Sequence, residues 1–118
     1  MLTGFSQGGF SSLYVATQSD RFGAVIAMHS WADLFSHYFG SAGVLAHLYD
    51  VFGSFGVFET EAGSDFPLGA TPFADPEAYY SNSPVFLAPQ ISSPVLLVHS
   101  DMDTFAMSQF DAMYAALL

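Results

Sequence analysis

Two short, almost uniformly apolar runs, FGAVIAMHS (residues 22–30) and PVLLVH (94–99), stand out along the chain. A strand with one wet face alternates apolar and polar residues. Continuous runs such as these read instead as buried strands of a parallel sheet covered on both faces. Helical spacing fills other stretches. In GGFSSLYVATQS (8–19), Leu13, Val15 and Ala16 fall at helix-compatible steps, and in MSQFDAMYAALL (107–118) Met107, Phe110, Met113, Tyr114 and Leu117 form a stripe at steps of three and four. Residues 1–4 read as the end of an element already under way. The order strand, helix, strand, long connection, strand, helix predicts an α/β fold with a mostly parallel sheet, as one domain over residues 1–118.

The long connection runs from about residue 31 to residue 80. ADLFSHYFGSAGVLAHLYDVFG (32–53) predicts one or two short helices, whereas ETEAGSDFPLGATPFADPEAYY (59–80) carries the turn chemistry of a loop. A loop of this length in a small domain is a candidate lid or cleft wall. Near its end, Asp75-Pro76-Glu77 has the form of a helix start, with Asp as cap and Pro in the first helical position.

Composition narrows the function classes. With 52% apolar residues and 13 Phe in 118 residues, the chain is built to bury surface, which excludes a disordered segment. One basic residue, Arg21, stands against eleven acidic ones, for a net charge of -10. Nucleic acid and anionic membrane surfaces are therefore not expected partners, because both need clustered Lys or Arg. No cysteine is present, and no histidine pair has metal-ligand spacing with a nearby Glu, so neither a disulfide framework nor a metal or other cofactor is expected.

The candidate chemistry lies in Gly4-Phe5-Ser6-Gln7-Gly8, which fits G-x-S-x-G, followed by Gly9. Such spacing serves a turn so tight that residues two positions either side of the serine must lack side chains, and the hydroxyl is pushed into a cleft. The Gln7 backbone N–H then faces the place where an oxyanion would form. The alternative is a glycine-rich turn in which Ser6 is an inert helix cap. HSDMD (99–103) closes the second apolar run, where a carboxylate on the loop after a late strand could serve as the acid of a catalytic triad. Asp103 is the choice over Asp101, and the alternative is that both are solvated loop residues.

GFSQGGFSSLYVATQSDRFGAVIAMHS together with DPEAYYSNSPVFLAPQISSPVLLVHSDMDTFAMSQFDAMYAALL resembles the catalytic domain of the prolyl oligopeptidase family of serine peptidases. The order G-x-S-x-G-G, helix, strand, Tyr-x-x-x-Ser-Pro, then Pro-x-Leu-Leu-x-His and an acid carries the likeness. The resemblance implies part of an α/β-hydrolase fold, Ser6 as nucleophile and Asp103 as acid, with a peptide or small ester as substrate. Gln109 matches a recurrent helical position with no assigned chemistry, and the place of His99 is a structural one. Gln7 departs from the family's aromatic residue at that position, and His99-Ser100 replaces His-Gly. The triad histidine follows the acid in this fold, yet His29, His37, His47 and His99 all precede Asp103. The expected function is thus a segment of a serine-type peptidase lacking its triad histidine and nearly inactive alone. A carboxylesterase on the same fold and a non-catalytic α/β interaction module are the alternatives.

Overall fold

In a computed structural model, which describes residues 1–40, 68, 70–103 and 105–118, the apolar runs form the middle and one edge of a three-stranded parallel sheet. Strands β1 (Leu2–Phe5), β2 (Val25–Met28) and β3 (Val95–Val98) lie in that order, with Leu2, Val25 and Val95 in register at one end and Phe5, Met28 and Val98 at the other. The opening residues are therefore a strand. Two ladder bonds extend the pairing at its start, from Leu2 N–H to the Ala24 carbonyl and from Val25 N–H to the Pro94 carbonyl, both at 2.9 Å.

Helix α1 (Gln7–Gln18) follows β1 without a connecting loop and crosses back over one face of the sheet. It buries Phe10, Leu13 and Ala16, while Val15 is exposed. Residues 34–40 begin a second helix, α2, capped by Asp33, whose Oδ1 accepts from the Phe35 amide at 2.9 Å. Helix α3 (Pro76–Asn82) starts as the sequence reads: Asp75 accepts from the Ala78 amide at 3.1 Å, and Pro76, which has no N–H to lose, takes the first turn. Helix α4 (Pro84–Leu87), a 3-10 turn at Ala88–Gln90, β3 and helix α5 (Ser108–Leu117) complete the order. The 31–80 connection is thus helical at both ends. Its expected loop and lid character falls mainly on residues 41–67 and 69, which lie outside the described residues, as does His47.

The core forms where α1 and α5 meet one sheet face: Leu13, Ala16, Val25, Ala27, Ala32, Ala88, Phe110 and Met113 are buried together, with Leu2, Val95 and Leu97 packed against them. A second, aromatic cluster sets Phe10, Trp31, Leu34 and Tyr79 beside Phe35 and Phe105. Two expectations need correction. β3 is not a strand covered on both faces: its alternate residues Leu96 and Val98 are exposed, and their β2 partners Ile26 and Met28 on the same face are only half-buried. In α5 the buried residues are Gln109, Phe110 and Met113, whereas Met107 and Tyr114 face solvent. A polar residue replaces an apolar one on the inner stripe, and it has a use.

The Gln109 carboxamide is buried and fully engaged. Its Oε1 accepts from the amides of Ala32 and Asp33 at 3.0 and 2.9 Å, and its Nε2 donates to the Ser36 hydroxyl at 2.8 Å and to the Asp33 carbonyl at 3.3 Å. Ser83, fully buried, accepts from the Leu34 amide at 2.9 Å and donates to the Tyr79 carbonyl at 2.7 Å. Buried polar groups persist where every bond is made. These two side chains fix the segment that leaves β2.

Candidate active site

The register places three chemically active side chains in a row. Phe5, Met28 and Val98 are aligned partners, so the next residues along the three strands, Ser6, His29 and His99, stand side by side on the carboxyl edge of the sheet. The loop after β3 brings Asp103 to the same edge. In open parallel sheets this is where ligands bind.

Ser6 adopts φ 56° and ψ -122°, a backbone region that a residue with a Cβ rarely enters. Its neighbours explain why. A Cβ on Gly4 would land on the Gly8 carbonyl, and a Cβ on Gly9 would lie 2.7 Å from the Ser30 Cβ and 3.0 Å from the Met28 carbonyl. Gly4 and Gly9 therefore let α1 begin directly against β1 and the end of β2, whereas a Cβ on Gly8 would meet open space. The turn is pinned by the Ser6 amide, which donates to the Met28 carbonyl at 3.0 Å, and by the Ser6 carbonyl, which accepts from Gly9 and Phe10. The Ser6 side chain makes no capping bond to the first turn of α1. Gln7 opens α1, so its N–H belongs to the first helical turn, where amides have no carbonyl behind them and the helix dipole favours negative charge.

Asp103 is far from a solvated loop carboxylate, since its side chain is only 10% exposed. Oδ1 accepts from the Phe105 amide at 3.0 Å, and Oδ2 pairs with His29 Nδ1. Burial alone would raise the Asp103 pKa; the Phe105 amide, the His29 bond and the positive potential of His99 and His29 outweigh it and hold the carboxyl below its ordinary range. Asp101 is exposed.

The histidines divide by role. His29 ends β2 at φ 46°, its ring 5.3 Å from Phe5 and 5.9 Å from His99. His99 Nε2 donates to the Phe105 carbonyl at 2.8 Å, which ties down the loop carrying Asp103. His37 stacks on Trp31 at 4.7 Å, and burial lowers its pKa to about 4 against the opposing pull of Asp33. Among the described residues no hydrogen bond joins the Ser6 hydroxyl to a histidine. Sequence reasoning singled out Ser6, Gln7 and Asp103 and missed the His29–Asp103 pair. The two residues are 74 positions apart, beyond the reach of any local spacing.

Solved structures similar to the chain include an acylaminoacyl peptidase in complex with Z-Gly-Gly-Phe-chloromethyl ketone (30% identity, TM-score 0.68), the Pyrococcus horikoshii acylaminoacyl peptidase (29%, 0.69) and a puromycin hydrolase (22%, 0.73). Each match covers 98% of this chain, which spans only 15–16% of the length of those proteins. No family model and no curated protein sequence matches the chain. The structural matches agree with the resemblance carried by the sequence: the chain is a partial α/β-hydrolase domain of the kind found in peptidases of the prolyl oligopeptidase family.

Proposed function

We propose that these residues carry the nucleophile and the acid of a serine peptidase acting by acyl transfer. The observation that supports this most is the left-handed Ser6, set by the contact of Gly4 with Gly8 at the junction of β1 and α1. In this reading a histidine takes the Ser6 proton as Oγ attacks the scissile carbonyl. The Gln7 amide donates to the oxyanion, and the same histidine then protonates the departing amine. Water hydrolyses the Ser6 ester by the reverse path. Asp103 orients the histidine and balances its charge. With no histidine after Asp103, these 118 residues alone should be nearly inactive, since loss of a triad member costs orders of magnitude.

The likeness to acylaminoacyl peptidases supports a peptide substrate. A turn of this kind does not encode the leaving group, so a carboxylesterase is the nearest alternative. Comparing short peptide amides with p-nitrophenyl esters on the full-length protein separates the two: turnover of amides is expected, and ester turnover without it contradicts the peptidase reading. A non-catalytic module draws support from the exposed Phe5, Leu96 and Val98 on one sheet face. Stoichiometric fluorophosphonate labelling of Ser6 contradicts it.

A further inference from the structure

We propose that His29 is a positioning residue for the acid: its ring holds the Asp103 carboxylate in the orientation needed to direct a separate histidine toward Ser6. The inference rests on the serine-hydrolase reading above and adds to it a residue that the G-x-S-x-G pattern and the acid do not imply.

A carboxylate that must orient an imidazole has to be oriented itself, and a side chain on a loop has rotational freedom to lose. Asp103 is fixed at two points. One oxygen accepts from the Phe105 amide at 3.0 Å, and the other pairs with His29 Nδ1. An ionised carboxylate only accepts, so Nδ1 carries the hydrogen in this bond. Each oxygen keeps further lone-pair capacity, which leaves room for a third donor.

His29 is itself held from both neighbouring strands. Its amide donates to the Val98 carbonyl at 2.8 Å, which anchors the end of β2 to β3. Its ring lies between Phe5 on the β1 side and His99 on the β3 side, at centroid distances of 5.3 and 5.9 Å. The residue sits at φ 46°, in the left-handed region. Among side chains carrying a polar group, His, Asn and Asp tolerate this region best. Of these, His and Asn carry a nitrogen donor, whereas an aspartate would repel Asp103. The depressed Asp103 pKa agrees with a carboxylate held by donors. The absence of a hydrogen bond from the Ser6 hydroxyl to His29 fits a ring committed to the acid rather than to the nucleophile.

Two variants of the full-length protein test this, both compatible with the left-handed backbone. His29→Asn places an amide nitrogen where Nδ1 stands, and His29→Gly removes the donor without adding strain. With a p-nitrophenyl ester, His29→Gly should lose roughly ten- to a hundred-fold in kcat with KM changed less than about twofold, while His29→Asn stays within about threefold of the parent. Equal kcat in His29→Gly and the parent overturns the proposal. So does an Asn variant as slow as the Gly variant, and loss of all turnover in both assigns His29 as the base instead. Fluorophosphonate labelling of the parent separates the two levels: failure to label Ser6 overturns the serine-hydrolase reading itself, whereas labelling that proceeds equally in all three proteins overturns only the role of His29.

Discussion

The carboxyl edge of the sheet and the buried knot around Gln109 and Ser83 are both polar, and they are built on opposite terms. At the edge, Ser6 and His29 hold positive φ angles, the only described non-glycine residues to do so, and the Ser6 hydroxyl is left without a capping bond. Each such residue stores on the order of 1–3 kcal/mol of strain. In the knot, Gln109 makes four hydrogen bonds and Ser83 two. One region is strained and leaves a serine hydroxyl without a capping bond. The other is relaxed and satisfied within itself, and its bonds to residues 32–36 fix the segment that follows His29. Strain at the edge persists because the neighbouring packing over-determines it.

Breaking the edge should cost most. Ser6→Ala in the full-length protein should lower ester hydrolysis by at least about a thousand-fold, with thermal unfolding unchanged or slightly raised. Gly4→Ala forces a Cβ into the Gly8 carbonyl, backbone against backbone, and should destabilise by roughly 3 kcal/mol or more in urea titration. Breaking the knot should be milder and should leave the turn at Ser6 in place. Gln109→Ala strands the amides of Ala32 and Asp33 and should cost about 2–4 kcal/mol; Ser83→Ala strands the Leu34 amide and should cost about 1–3 kcal/mol.

The smallest effect is a pH dependence. His37 has a folded pKa of about 4 against 6.5 unfolded, so the unfolded chain binds the extra proton first as pH falls. Stability contributed by neutral His37 is present above pH 6.5 and declines down to about pH 4, by on the order of 2 kcal/mol after allowance for partial exposure. His37→Phe keeps the stack on Trp31 and should flatten urea midpoints across that window. Asp103 has a lowered pKa, so its contribution is lost only at still lower pH, and the two effects separate.

What was legible in the sequence was whatever short-range sterics dictate. G-x-S-x-G specifies a local collision between residues four apart, and a Cβ on Gly4 would indeed meet the Gly8 carbonyl; the expectation fails at Gly8, whose own Cβ would meet open space, and the second glycine the packing requires is Gly9. The Asp75-Pro76 cap is equally local. The apolar run at 94–99 declared a surface fit for burial, but fitness for burial does not say which element covers it, and Leu96 remains exposed. The break that Gln109 makes in the apolar stripe of α5 was illegible because its partners, Ala32 and Asp33, lie 77 and 76 residues away, a separation that no spacing rule reaches. His29 was legible as a strand end and illegible as the partner of Asp103 for the same reason.

The most direct measurement is to treat the full-length protein with a fluorophosphonate and map the adduct by peptide mass spectrometry. One adduct per chain on the peptide containing Ser6, absent in Ser6→Ala, is expected. A folded protein that takes up no label, or takes it at another residue, would contradict the assignment of Ser6 as nucleophile.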